Sequence, residues 1–415
     1  APAKTANVQG AEQTGRPEFT PHTEVVNGVE KTVSVQPNSY KLVKDGVEVE
    51  GRTTPAYKKN TQEVIGKYTI NIETGEVTFT PTDKAFKGEV EPATVQATGS
   101  NGVKVKTTYT PTIIPVTPSA TDATTTKVQG TTQEGTVTFT PGKATIGTEE
   151  KTVPMDPNAY KLLGGENGTT PLDTVPAMSE DGTKQVGTYT IKVVDGKPVV
   201  TFTPTDKAYA GKLKPVTVQG KDTNGTEATT TYTPVITPIV PTAENGTSSG
   251  PQGVEQTGRV TFNPGKEPGT ENTPVAIDNT KMTLLGGTDG TTPVESLEVS
   301  KDGKVIGTYT LVKDPSGVPT GEVKFTPTDK SYVGEVPPAT VQVKDANGTP
   351  TTATYTPTFT EVVPKAKASE TTGVQGQAQT SRVVLNQKDE TDNTTVNFDK
   401  GDEKVDVVES TLTLV

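Results

Sequence analysis

The residues of this chain that could do chemistry are few, and they recur. Asp83–Lys84 returns as Asp206–Lys207 and again as Asp329–Lys330, each time after 123 residues. Acid/base work on paired carboxylates needs a second acid at matched spacing, and none repeats clearly from copy to copy. The plainer role is structural: the Asp of a Thr-Asp turn accepts hydrogen bonds from its own backbone while the Lys is solvated. A sharper reading is a covalent amide between Lys84 and Asn101, with Asp83 as proton shuttle, and the same in the copies at Asn224 and Asn347. Asn101 lies in an Asn-Gly turn, however, a poor place for a buried cross-link. Loss of ammonia in the intact mass would reveal the bond. Asp222-Thr-Asn-Gly225 and Asp345-Ala-Asn-Gly348 hold the start of a calcium loop but lack its remaining ligands and closing acid, and the first copy reads Gly99-Ser-Asn-Gly102. Asn-Gly-Thr triplets at Asn167, Asn224, Asn245 and Asn347 match the N-glycosylation pattern, but Asn-Gly turns explain them all.

The rest of the inventory excludes more than it offers. There is no Cys and no Trp, so disulfides and Cys-based metal sites are ruled out. The one His, His22, falls where its sister copies place a glycine after proline (Gly142, Gly265), and is expected in an exposed turn. No nucleophile has a base beside it, and no Gly-x-Ser-x-Gly elbow or phosphate loop is present. The chain therefore reads as a non-enzyme with no catalytic residue, no metal ligand and no cofactor. A net charge of −11 argues against nucleic acid and anionic lipid, both of which favour a basic face. No run of about 20 apolar residues is present to enter a membrane. The segment Ala1-Pro-Ala-Lys4 has no apolar core and is not a signal peptide. Only 29% of residues are hydrophobic, and Gly with Pro number 41 and 34, a balance that keeps open a largely disordered spacer.

The elements that hold these residues are organised by a long period. Phe79-Thr-Pro-Thr-Asp-Lys84 recurs at Phe202 and Phe325, and 26 residues after each Asp comes a Tyr-Thr-Pro, at Tyr109, Tyr232 and Tyr355. A unit of this size is a domain, not a solenoid turn. The expected division is 1–117, 118–240 and 241–366, with a partial fourth unit at 367–415. Each unit opens on Val-Gln-Gly or Gln-Gly: Val8-Gln-Gly10, Val128-Gln-Gly130, Gln252-Gly253 and Val374-Gln-Gly376. A short strand is expected over Thr136–Gly142 and Arg259–Gly265, closed by Pro-Gly as a turn. Tyr189, Ile191 and Val193, then Asp195-Gly196, then Val200 and Phe202 give a hairpin whose tip lengthens from unit to unit. A second hairpin is expected around Asn101-Gly102, Asn224-Gly225 and Asn347-Gly348, with Asn and Gly both accepting positive φ. The Pro/Thr-rich segments 109–118, 232–241 and 355–364 are either semi-rigid spacers or last strands leaving one unit for the next. Nothing sustains a helical period. Six or seven short strands per unit predict an all-β tandem array of antiparallel, immunoglobulin-like sandwiches. The repeated positions Phe79, Asp83, Lys84 and Tyr109, with Phe202, Asp206, Lys207 and Tyr232 and with Phe325, Asp329, Lys330 and Tyr355, read as packing and turn residues. Phe86, Tyr209 and Tyr332 are expected in the core with them.

Taken from the second unit, Gly187-Thr-Tyr-Thr190, Val200-Thr-Phe-Thr-Pro-Thr-Asp-Lys-Ala-Tyr209, Pro215-Val-Thr-Val-Gln219, Asp222-Thr-Asn-Gly-Thr226 and Thr230-Thr-Tyr-Thr-Pro234 together resemble the CshA-type fibril repeat of streptococcal surface proteins. The resemblance spans nearly the whole chain. It implies a secreted, cell-wall-anchored fibrillar adhesin of a Gram-positive cell, in which repeats build the stalk and a non-repetitive N-terminal region adheres. The implied partners are neighbouring repeats of the same chain and, through the intact protein, a host extracellular matrix protein or other bacteria. A second expectation is that the repeats themselves bind a host matrix protein or glycan, although the lack of Trp counts against a glycan platform. The units run longer than the family's, and Arg382-Val-Val-Leu-Asn386 replaces Val-Thr-Phe-Thr-Pro in the fourth. Ser410–Val415 resembles Asn38–Val43 from inside a unit, so the chain reads as part of a longer array.

Overall fold

Alternating apolar and polar residues with Thr, Val and Tyr in abundance favour a pleated, half-buried backbone. Every helix or strand in the computed structural model is accordingly a strand among the residues it describes. These are 1–267, 274–362, 368–381 and 413–414, with the backbone of 366–367, 384–385, 396–397 and 404–405. The expected fourth unit, including Arg382–Asn386 and Ser410–Val415, lies largely outside them. The chain divides into two compact bodies, Ala1–Thr237 and Pro238–Val415. Among the described residues the first body holds two sandwiches and the second one.

The first sandwich contains β1 (Ala3–Val8), β2 (Gln13–Gly15), β3 (His22–Val26), β4 (Val29–Val33), β5 (Lys41–Lys44), β6 (Val47–Glu48), β7 (Thr53–Tyr57), β8 (Val64–Ile70), β9 (Val77–Pro81), β10 (Ala93–Thr98) and β11 (Lys104–Ile114). One sheet has the order β1-β11-β10-β5-β6 and the other β2-β9-β8-β7, with β3–β4 a separate hairpin. The chain changes sheets between β1 and β2. All pairings are antiparallel except the first strand with the last, which run parallel. An opening strand split between two sheets and paired parallel to the last is immunoglobulin-like in its order.

The same register recurs in each sandwich. Ala3, Ala123 and Gly246 lie opposite Tyr109, Tyr232 and Tyr355 in the parallel pair. Gln13, Gln133 and Gln256 lie opposite Phe79, Phe202 and Phe325. Each of those Phe residues also faces a Tyr across the next pair: Tyr68, Tyr189 and Tyr309. A period of two then sends these rings inward together. The Tyr68 ring sits 5.7 Å from Phe79 and 6.1 Å from Tyr109, and Tyr189 lies 5.9 Å from Phe202 and 6.1 Å from Tyr232. Cores of 11, 13 and 15 buried apolar residues form around these trios, which is how a chain so poor in apolar residues closes three sandwiches. Phe86, Tyr209 and Tyr332 are only partly buried and pack at the edges of these cores.

Some sequence expectations need correction. Thr136–Gly142 is not one strand: Gln133–Thr136 and Thr138–Thr140 belong to different sheets, and buried Val137 marks the crossing. Pro-Gly does not close a turn there either. Gly142 opens a new strand, Gly142–Ile146, and glycine stands there because an added Cβ would come within 2.8 Å of the Thr117 backbone. His22 likewise lies in a strand, exposed, with Nε2 3.1 Å from Glu24 Oε1. The Asp195-Gly196 hairpin has its two-residue turn, both residues at positive φ, between Val194 and Lys197. The Asn-Gly hairpins are wider: Thr98 pairs with Lys104 and Lys221 with Glu227, and only the glycine takes positive φ. Of the two readings of the Pro/Thr-rich segments, the strands win. Tyr109-Thr-Pro-Thr-Ile-Ile114 completes β11. Proline is tolerated because the antiparallel neighbour has already ended; in the second sandwich Pro234 offers only its carbonyl on that side, to the Leu213 amide.

Candidate functional site

A buried polar network stitches each sandwich where the chain changes sheets. In the first, the Thr5 hydroxyl hydrogen-bonds both the Tyr109 hydroxyl (2.8 Å) and Gln13 Oε1 (2.8 Å), while Gln13 Nε2 donates to the Thr112 carbonyl (2.9 Å). Thr125, Tyr232 and Gln133 repeat it in the second, and Ser248, Tyr355 and Gln256 in the third. Two residues after each Gln stands a glycine on which a Cβ would lie 2.4, 2.1 or 2.2 Å from the Tyr ring. Burial pushes the Tyr109 phenol up to about 12, with the bond from Thr5 opposing the shift. The Gln-x-Gly pattern was readable as a repeat, in Gln13-Thr-Gly15, Gln133-Glu-Gly135 and Gln256-Thr-Gly258, but nothing local ties it to a tyrosine about 100 residues on.

The repeated Asp residues hold turns. Asp83 Oδ1 accepts from the Ala85 amide (3.1 Å), Asp206 from Ala208 (3.1 Å) and Asp329 from Ser331 (3.0 Å). Their ion partners are not the adjacent lysines but Lys184 for Asp206 and Lys304 for Asp329. The Lys304 ammonium and the Ser331 hydroxyl hold Asp329 down to about 2. A Lys84–Asn101 amide is excluded by topology. Lys84 lies beside Ala85, whose carbonyl accepts from Gln9 Nε2 at the end of β1 and β11, whereas Asn101 precedes β11. The 11 residues of β11, on the order of 35 Å, separate them.

The Asp-x-Asn-Gly-Thr loops are self-capped. Asp222 Oδ1 accepts from the Asn224 and Thr226 amides (2.9 and 2.8 Å), and Asp345 does the same for Asn347 and Thr349. The other oxygen of each carboxylate is buried without a partner. Among the described residues no three His, Cys, Asp or Glu side chains gather to hold a metal.

With Asp222 capping the loop, the Asn224 side chain turns outward and meets the first sandwich. Asn224 Nδ2 donates to the Gln9 carbonyl (2.7 Å). Gln9 is itself buried, 1% exposed, and its amide is fully used. Nε2 donates to the Ala85 carbonyl (2.8 Å) and the Thr226 hydroxyl (3.2 Å), and Oε1 accepts from the Val116 amide (3.3 Å). One side chain thus ties the first sandwich, the connection and the second sandwich. Val8, Val116 and Val153 bury one another beside it, with Ala11, Ala144 and Ile146 against them. The connection is no free spacer: Val116 and Pro118 are both buried.

One open cleft of about 420 Å³ lies on the first sandwich, lined by Lys44, Tyr57, Asn60 and Glu91 among others. Lys44 Nζ donates to the Tyr57 hydroxyl (2.6 Å) and lies 4.5 Å from the ring centre, so the polar end of the ring is already engaged.

Repeated two-sheet sandwiches, each with a parallel first and last strand and with repeated polar positions spent on turns and stitching, define a tandem immunoglobulin-like array. The repetitive-domain family of the surface adhesin CshA matches residues 1–113, 115–236 and 238–359, and the chain belongs to that family. Its membership in a surface-adhesin repeat family places it outside the cell. No curated relative matches the chain in sequence. Solved structures similar to it include an I-band fragment of titin, 10% identical over 87% of this chain and 96% of that one, with a TM-score of 0.27. Human CDH23 EC21-23 is 14% identical over 85% and 97%, at 0.30. Four extracellular cadherin domains of protocadherin gamma B7 are 9% identical over 81% and 74%, at 0.26.

Proposed function

We propose that the chain forms part of the stalk of a cell-wall-anchored adhesin of a Gram-positive cell, carrying an adhesive tip away from the wall. Its units are 1–117, 118–240 and 241–366, with a fourth beginning at 367. The observation that supports this most is the parallel pairing of first and last strands: Ala3–Val8 with Tyr109–Ile114, Ala123–Val128 with Tyr232–Thr237, and Gly246–Pro251 with Tyr355–Thr360. Parallel terminal strands put the entry and exit of a sandwich at opposite ends, so each unit advances the chain. They also meet tension in shear. Pulling the ends apart loads the whole run of backbone hydrogen bonds at once, where an antiparallel terminal pair would unzip one bond at a time. A net charge of −11 adds mutual repulsion that keeps such stalks from collapsing onto each other.

Small-angle X-ray scattering of the full chain tests the reading. A packed globule of this length has a radius of gyration near ~22 Å. The stalk requires a value well above that with a rod-like cross-section and a folded Kratky profile. A value near the globular one contradicts it.

A further inference from the structure

We propose that the loop 222–226 of the second sandwich is a docking site for the Val8-Gln9-Gly10 turn of the first, a clasp that fixes the angle between the two. The proposal takes its use from the stalk reading, but its geometry stands within the first body. The turn is shaped for the loop. Gly10 takes φ +79°, which favours glycine, and a Cβ there would fall 2.1 Å from Asn224 Oδ1 and displace that amide from its place on Gln9. Gln9 is buried with both amide hydrogens and its oxygen engaged, and one of those partners, Thr226, belongs to the second sandwich. Its backbone carbonyl is taken by Asn224 as well. An amide satisfied on two sides holds one arrangement, because tilting the sandwiches while the joint stays dry would leave its donor and the Gln9 carbonyl buried without partners.

The apolar half of the clasp is equally built. The hairpin of Gly142–Ile146 and Glu149–Val153 brings Ala144, Ile146 and Val153 onto Val8 and Val116. The glycine at its start admits the Thr117 backbone to within 2.8 Å of where a Cβ would stand. The joint therefore has a polar lock on one side and an apolar seat on the other, with the connection pinned between them.

The chain has no cysteine, so Lys67→Cys and Thr190→Cys in the full chain give two unique sites for spin labels, one on each sandwich. Double electron–electron resonance then reads the spread of distances. The clasp predicts one narrow distribution, lost on Asn224→Asp, which keeps the shape but turns a donor into an anion facing a carbonyl. Thr226→Val is expected to broaden it too, and Asn101→Asp, the matching change in the first sandwich, to leave it narrow. Circular dichroism melting of each variant reports folding separately, and where Asn224→Asp unfolds the second sandwich, Thr226→Val decides. A broad distribution in the unaltered chain overturns the clasp, as does a narrow one that survives both joint substitutions. Either result leaves the scattering test of the stalk intact, since a flexible string of sandwiches still scatters as extended.

Discussion

The loops 99–103 and 222–226 occupy the same place in consecutive sandwiches, yet only the second reaches out of its own domain. The difference traces to the first and last positions of the loop. In 222–226 the first position is Asp222, whose carboxylate caps the Asn224 and Thr226 amides and leaves the Asn224 side chain at liberty to bind Gln9. In 99–103 the first position is Gly99, and the capping falls to Asn101, whose Oδ1 folds back to accept from the Val103 amide (3.1 Å). The last position is Val103, 56% exposed, where the second loop has the Thr226 hydroxyl. The cap turns the Asn101 amide back into its own loop, whereas Asn224, relieved of that task by Asp222, turns its amide to Gln9. Asp345 caps its own loop as Asp222 does.

The largest effect is expected from Asp222→Ala. It strips the cap from two amides and returns Asn224 to the task of Asn101, at a cost of about 1–3 kcal/mol in denaturant unfolding and with loss of the joint. Gly99→Asp with Val103→Thr is the converse, and is expected to add about 0.5–1 kcal/mol to the first sandwich while turning Asn101 outward. A chemical-shift change at the Asn101 amide, the counterpart of the Asn224 amide that Asp222 caps, would show the new acceptor, and an unchanged Asn101 amide would mean that Asp does not govern the loop. Asp222→Asn keeps one acceptor and replaces the unpaired buried oxygen with a neutral amide. It should move stability by less than about 1 kcal/mol and leave the joint closed, separating the capping geometry from the charge.

The smallest distinction is expected at high pH, where the two sandwiches share a device. Burial raises both Tyr109 and Tyr232 above the usual phenol value. A raised folded pKa means that the stabilisation is full below the unfolded value near ~10 and is lost as pH rises through the folded one, about 12 for Tyr109. Alkaline unfolding followed by phenolate absorbance should therefore set in above ~10 in both sandwiches together. Early loss of one alone would mean that their cores are not equivalent.

The sequence was most informative where structure is local. The alternation around Asp195-Gly196 specified a hairpin down to its turn, and the fixed spacing of Phe79, Tyr109 and their copies marked the core. It was mute where partners are remote. Gln9 finds Thr226 across 217 residues, and Gln13 finds Thr112 across 99. Lys84 and Asn101 look adjacent on paper, and only the direction of β9 and β11 puts them at opposite ends. Val137 reads as part of one alternating strand, yet the crossing between sheets that interrupts it is imposed by a pairing of Thr138–Thr140 with Ser119–Thr121.

Force spectroscopy on the full chain, held at its two termini, tests the central claim most directly. Parallel terminal strands loaded in shear predict three separate unfolding steps at high force. Each should release a contour length on the order of 400 Å, the extended length of about 120 residues. A featureless extension, or unfolding at the low force of strands that unzip, would contradict the account of these sandwiches as the tension-bearing units of a stalk.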